Sequence, residues 1–166
     1  MSAAGARGAD DADPAAAPRR AEAKPRSCGT VVTDGRRLIL GHATGGRHWD
    51  VPKGLPEAGE TDAGAAAREL FEETGIRADP KILVPLRSGP YLPKKDLALF
   101  LLRGPLPDPG SLRCSSMVEI PGRTPFPEFD AFQAVEFGGI GGLATERMAA
   151  FLAEALKRLK ENGGTL

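Results

Sequence analysis

Cysteine and histidine are scarce in these 166 residues, at two each. Cys28 and Cys114 make no CxxC pair, and with only His42 and His48 to join them no Cys/His zinc site is expected. That usage suits a reducing compartment. Charge of one sign is also missing: 22 Lys plus Arg balance 22 Asp plus Glu, so no overall basic surface addresses nucleic acid or an anionic membrane. Any polyanion must be met locally. Aromatic residues are 5% of the chain, too few for a base-stacking series. No run of about 18 apolar residues occurs, so no transmembrane helix is expected. What remains, 41% hydrophobic and 27% charged, is a globular composition, long enough for one domain whose core needs no disulfide or structural metal.

Residues 1–26 hold ten alanines, three prolines, five basic and four acidic residues, and no aromatic or β-branched side chain. They have little to bury and are expected to form a disordered tail. A targeting peptide is disfavoured by the lack of an apolar core and by Asp10, Asp11 and Asp13. A soluble cytoplasmic protein with one domain over residues 27–166 is the expectation. Residues 30–33 and 38–40, around Asp34-Gly35, read as a β-hairpin. Residues 82–86, 97–102 and 129–137 read as further strands. A helix is expected from Thr61 as N-cap to Thr74, stopped by Gly75, and a closing amphipathic helix carries Met148, Phe151, Leu152, Ala155, Leu156 and Leu159.

The first helix carries the chemistry. At about 100° per residue, Glu72 and Glu73 fall within about 60° of Glu69, while Ala63, Ala67, Leu70 and Phe71 share the opposite, apolar face. A solvated acidic face is the plain alternative. Like charges at these spacings repel, however, and Glu72 and Glu73 sit at the negative end of the helix dipole. Something positive should compensate. Arg68 can tie down Glu72 at i+4, and hard oxygen donors without His or Cys suit Mg²⁺ or Mn²⁺. Gly54 opens the loop before the helix, and its glycines allow close backbone approach to an ion or phosphate.

Gly54, five residues, Glu60, seven residues, then residues 68–76 (RELFEETGI) match the Nudix box, G-(five)-E-(seven)-R-E-U-x-E-E-x-G-U, at every defined position. By chance in one register this has odds on the order of one in a billion. The chain therefore resembles the Nudix family, which implies an α/β class fold, an α/β/α sandwich with a mixed sheet. It also implies metal-dependent hydrolysis of a nucleoside diphosphate linked to another group. Carried over by position, Glu69, Glu72 and Glu73 are the implied metal-binding carboxylates, the Gly54 carbonyl a further ligand, Arg68 the orienting partner and Glu60 a support. Mg²⁺ is the implied cofactor, with Mn²⁺ as a substitute and water as nucleophile. The general base is not fixed by the box: box glutamates, Glu119, Glu128 and Asp130 are candidates, with a surface or loop-capping role as the alternative for the last three.

Residues 48–54 (HWDVPKG) resemble the lead-in of Nudix enzymes acting on dinucleoside polyphosphates, diphosphoinositol polyphosphates or capped RNA. Substrate-binding candidates are Trp49, with packing against the loop as its alternative, and Lys53, Lys94 and Lys95 as phosphate contacts, with a solvated pair as the alternative for Lys94 and Lys95. A dinucleoside polyphosphate is the leading substrate. Nucleotide sugars, ADP-ribose or NADH, oxidised nucleoside triphosphates, diphosphoinositol polyphosphates and RNA 5′ ends are the alternatives, as is a non-catalytic nucleotide-binding regulatory domain, against which the intact glutamates argue. Two departures stand out: Gly64, expected to loosen the first helical turn by about 1 kcal/mol relative to Ala, and the glycine-rich 138–142, where an acidic segment often occurs in the family.

Overall fold

β-Branched residues 30–33 favour extended backbone. In the computed structural model, which describes residues 23–161, they lie in β1 (Arg26–Thr33), paired antiparallel with β2 (Arg37–Ala43). The turn between them closes as expected. Gly35 takes φ 95°, and Asp34 Oδ1 accepts from the backbone of Arg36 and Arg37 at 2.9 and 2.7 Å.

The remaining strands are β3 (Trp49–Asp50), β4 (Lys53–Gly54), β5 (Val84–Leu92), β6 (Lys95–Arg103), β7 (Met117–Val118), β8 (Phe126–Pro127) and β9 (Phe129–Glu136). Seven form one sheet in the order β3-β2-β1-β6-β5, with β4 also on β1 and β9 also on β2, while β7 and β8 make a separate ribbon. β1 and β6 run parallel and the other pairs antiparallel, so the sheet is mixed.

Alternation along the strands divides the core. Leu97, Leu99 and Leu101 join Val31, Leu38 and Leu40 against Met148, Phe151 and Leu152 of helix α2 (Glu146–Glu161). Ala98 and Phe100 turn the other way with Cys28, against Ala65, Ala66 and Ala67 of helix α1 (Asp62–Thr74). This is the expected α/β/α sandwich. Both cysteines are free, and burial, then Asp62, pushes the Cys28 thiol up to about 12, so Cys28 serves packing.

Some expectations shift. The 82–86 strand is instead β5, because Asp79 caps a 3₁₀ turn over Pro80–Ile82 by accepting from Lys81 N at 2.9 Å. Pro85 and Pro90 are tolerated in β5 because it is the sheet edge. Phe137 leaves the sheet and opens a 3₁₀ segment, Phe137–Gly142, anchored by buried Ile140. Gly64 does not interrupt α1: Thr61 Oγ1 accepts from Gly64 N at 3.0 Å, which offsets its weak helix propensity. Arg26, assigned to the tail, opens β1 and its Nη1 lies 2.6 Å from Asp62 Oδ2. Residues 23–25 of that tail are described and exposed, and residues 1–22 lie outside the described residues.

Candidate active site

α1 is set by its caps, Thr61 at the N-terminus and Gly75 at φ 80°, whose N–H returns to Phe71 O. The apolar face packs inward as expected at Ala67 and Leu70, but part of the acidic face is turned in beside it. Glu69 and Glu73 are buried, at 8% and 4% exposure, whereas Phe71 points outward beneath the Arg77 guanidinium, 4.0 Å from its ring centre. The supposed solvent face therefore packs against β4. Alanines at 65–67 explain it, since small side chains let the helix lie close to the sheet and carry the carboxylates in with it.

β4 receives them. Gly54 lies opposite Cys28 on β1, and a Cβ at Gly54 would fall on the Glu69 carboxylate, so only glycine admits this approach. Lys53 N donates to Glu73 Oε2 at 3.0 Å.

Arg68 is the hub of the cluster rather than the partner of Glu72 alone. Its Nη1 donates to Glu69 Oε1 at 2.8 Å and to Glu72 Oε2 at 3.1 Å, its Nε and Nη2 to Glu60, and its Nη2 to Leu55 O at 2.9 Å. Hydrogen bonding to Glu60, against the cost of burial, holds the guanidinium above its ordinary value. Glu60 also accepts from Glu57 N at 2.9 Å, so it braces both the loop and the arginine.

Among the three general-base candidates outside the box, Glu128 reaches the helix. It hydrogen-bonds Glu73 and accepts from Ser116 Oγ at 2.9 Å. Burial, then this bond and the Glu128 charge, push Glu73 up to about 9, and burial also raises Glu69 against the pull of Arg68. Asp130 pairs instead with His42 Nδ1 at 2.6 Å, and Glu119 lines a separate cavity with Ile120 and Arg123.

Hard oxygen donors converge here in kind but not in final position: among the described residues no three His, Cys, Asp or Glu side chains form a ready metal cage. Arg68 draws Glu69 and Glu72 to one side while Glu73 leans on Lys53 N and Glu128.

The substrate candidates are spread out. Trp49 packs against the α2-side core, with its ring 5.2 Å from that of His42 and its backbone N–H donating to Leu143 O at 3.0 Å. Lys53 Nζ is held by Asp50 Oδ2 at 2.6 Å. Lys94 is exposed on the β5–β6 turn and Lys95 opens β6. Asp50, Tyr91 and Ser116 were not singled out by sequence. The i,i+3 spacing of Asp50 and Lys53 was a signal for the first, and nothing local marks the others.

A NUDIX domain family model matches residues 23–119, and the chain belongs to that family. Phosphatase NudJ of Escherichia coli K12 is 46% identical over 52 residues, 31% of this chain and 34% of that protein, so the match spans about a third of the curated relative's length. Two solved structures share the fold. A C. elegans Ap4A hydrolase binary complex has TM-score 0.60 at 20% identity, over 86% of this chain and 99% of that one. A bifunctional NMN adenylyltransferase/ADP ribose pyrophosphatase from Francisella tularensis, complexed with AMP and a manganese ion, has TM-score 0.59 at 17% identity, over 81% and 42%. No helix among the described residues is long and apolar enough to cross a membrane.

Proposed function

We propose that this chain hydrolyses a phosphoanhydride bond in a nucleoside diphosphate linked to another group, and that the substrate is a dinucleoside polyphosphate. The observation that carries the reading is the Glu73–Glu128 carboxyl pair, in which Glu73 is buried on Lys53 N next to the Gly54–Glu69 contact. Glu60, Glu69 and Glu72 share the single Arg68 guanidinium, while Glu73 and Glu128 lie against each other without it, so negative charge is in excess. Such a site fits a hard divalent cation.

Glu69, Glu72 and Glu73, with the Gly54 carbonyl, are the residues that would hold Mg²⁺, or Mn²⁺ in its place. Bound there, the ion supplies neutralisation of charge on the reacting phosphate oxygens. Arg68 holds Glu69 and Glu72 in alignment and keeps the 55–60 loop seated. Glu128, once Glu73 no longer shares its proton, is the base that accepts a proton from the attacking water, with Ser116 Oγ fixing its orientation. Lys94 and Lys95 are the cations available to a longer phosphate chain, the Lys53 ammonium being taken by Asp50. The dinucleoside choice rests on the 48–54 lead-in and on those cations. A cytoplasmic site of action belongs to the same proposal.

The test is a panel of diadenosine tetraphosphate, ADP-ribose, a nucleotide sugar, an oxidised nucleoside triphosphate, a diphosphoinositol polyphosphate and capped RNA, with Mg²⁺ and with EDTA. Diadenosine tetraphosphate should show the highest kcat/KM, and EDTA should abolish turnover. Preference for a nucleotide sugar or ADP-ribose would reject the substrate, and metal-independent turnover would reject the mechanism.

A further inference from the structure

Lys53 meets the acidic cluster through its backbone, not its side chain. Its N–H donates to Glu73 Oε2 at 3.0 Å, while its ammonium lies 2.6 Å from Asp50 Oδ2. The pair is shielded, with the two side chains 21% and 25% exposed. Burial works against the ammonium, but Asp50 outweighs it and Glu73 adds to the same side, so the lysine stays charged within the field of Glu73.

Asp50 is itself held. Its Oδ1 accepts from Val51 N at 2.8 Å, and its backbone pairs with Gly41 on β2. Tyr91 borders the pair: β5 is irregular between Pro90 and Leu92, which leaves Tyr91 as the extra residue, re-aimed so that both Asp50 and Lys53 act on its phenol.

A tethered ammonium is a strong competitor for a carboxylate site meant for a cation. It carries like sign, donates three hydrogen bonds, and by its tether acts at high effective concentration. With the Asp50 counter-charge removed, the attraction left to the Lys53 ammonium is that of Glu73, in whose field it already lies.

We propose that Asp50 is a positioning residue that sequesters the Lys53 ammonium and so keeps the Glu69–Glu73 cluster open to a divalent cation. The inference rests on the divalent-cation reading above. Nothing in the box spacing marks Asp50, which precedes it.

Mn²⁺ binding by the full chain, measured by electron paramagnetic resonance of the free ion without substrate, tests it. Asp50→Asn keeps the side-chain shape and an acceptor for Val51 N. It should weaken Mn²⁺ at least roughly fivefold, and adding Lys53→Met should restore affinity to within about twofold of wild type. Wild-type affinity in Asp50→Asn would overturn the proposal. So would a double variant as weak as Asp50→Asn, which would show a loss independent of the lysine. Asp50→Ser, also uncharged and able to accept from Val51, gives the same comparison should Asp50→Asn not fold. A wild-type chain that binds no Mn²⁺ would reject the cation reading itself, and this inference with it.

Discussion

Glu128, at the junction of β8 and β9, hydrogen-bonds Glu73 in the last turn of α1. The same helix end is tied again where Glu72 O accepts from Ser115 N at 2.7 Å and Ser116 N at 3.1 Å, and Ser116 Oγ donates to Glu128. A buried carboxyl such as Glu73, held against a second carboxyl, does not ionise cheaply. Glu73 therefore holds its proton more tightly than a free carboxyl does.

That proton makes stability depend on pH. The folded Glu73 value, about 9, lies above its unfolded value of 4.5, so its contribution is full below pH 4.5 and is lost as pH rises toward 9. In EDTA, urea unfolding at pH 5, 7 and 9 should show falling stability across that window. Glu73→Gln should flatten the trend and exceed wild type by more than about 1 kcal/mol at pH 9. A wild-type profile as flat as the variant's would remove the assignment.

Turnover should fail where stability does not. Glu72→Gln and Glu73→Gln should each lower kcat by about a hundredfold or more with the far-ultraviolet spectrum unchanged. Retained turnover in both would exclude these carboxylates from the chemistry.

Arg68 joins Glu60, Glu69, Glu72 and Leu55 O. Arg68→Ala leaves those carboxylates facing one another and should cost about 2–4 kcal/mol of unfolding free energy in EDTA. Arg68→Lys keeps the charge but not the fork and should recover only part of it. Full recovery would mean that the bond geometry is irrelevant.

Gly54→Ala places a methyl on the Glu69 carboxylate. Isothermal calorimetry with Mn²⁺ should show lost affinity, and urea unfolding should show a smaller change, because the displaced group is a side chain at the edge of the sheet. Unaltered binding would contradict the close approach.

The N-terminal boundary offers a graded deletion. Removing residues 2–22 should leave the melting temperature unchanged, as their composition offers little to bury. Removing residues 2–26 should lower it, because the Arg26–Asp62 pair and the Asp96 N to Pro25 O bond at 2.9 Å go with them.

Sequence alone determined what is local. Asp34-Gly35 marks the hairpin, Thr61 and Gly75 bound α1, and the period of Met148, Phe151 and Leu152 marks α2, because caps, turns and periodicity involve residues a few positions apart. The box spacing likewise placed three glutamates at one end of one helix. Tertiary structure decided which way that helix faces. Alanine contacts with β1 and β6 turn Glu69 and Glu73 inward and leave Phe71 outside, which no helical projection weighs. It also chose Glu128 over Glu119 and Asp130, since only the register of β9 on β2 and the Ser116 tether bring that side chain to Glu73. Pairing of Lys53 with Asp50 belongs there too: the spacing permits it, but burial behind β3 and β4 is what makes one carboxylate, rather than solvent, the partner of that charge.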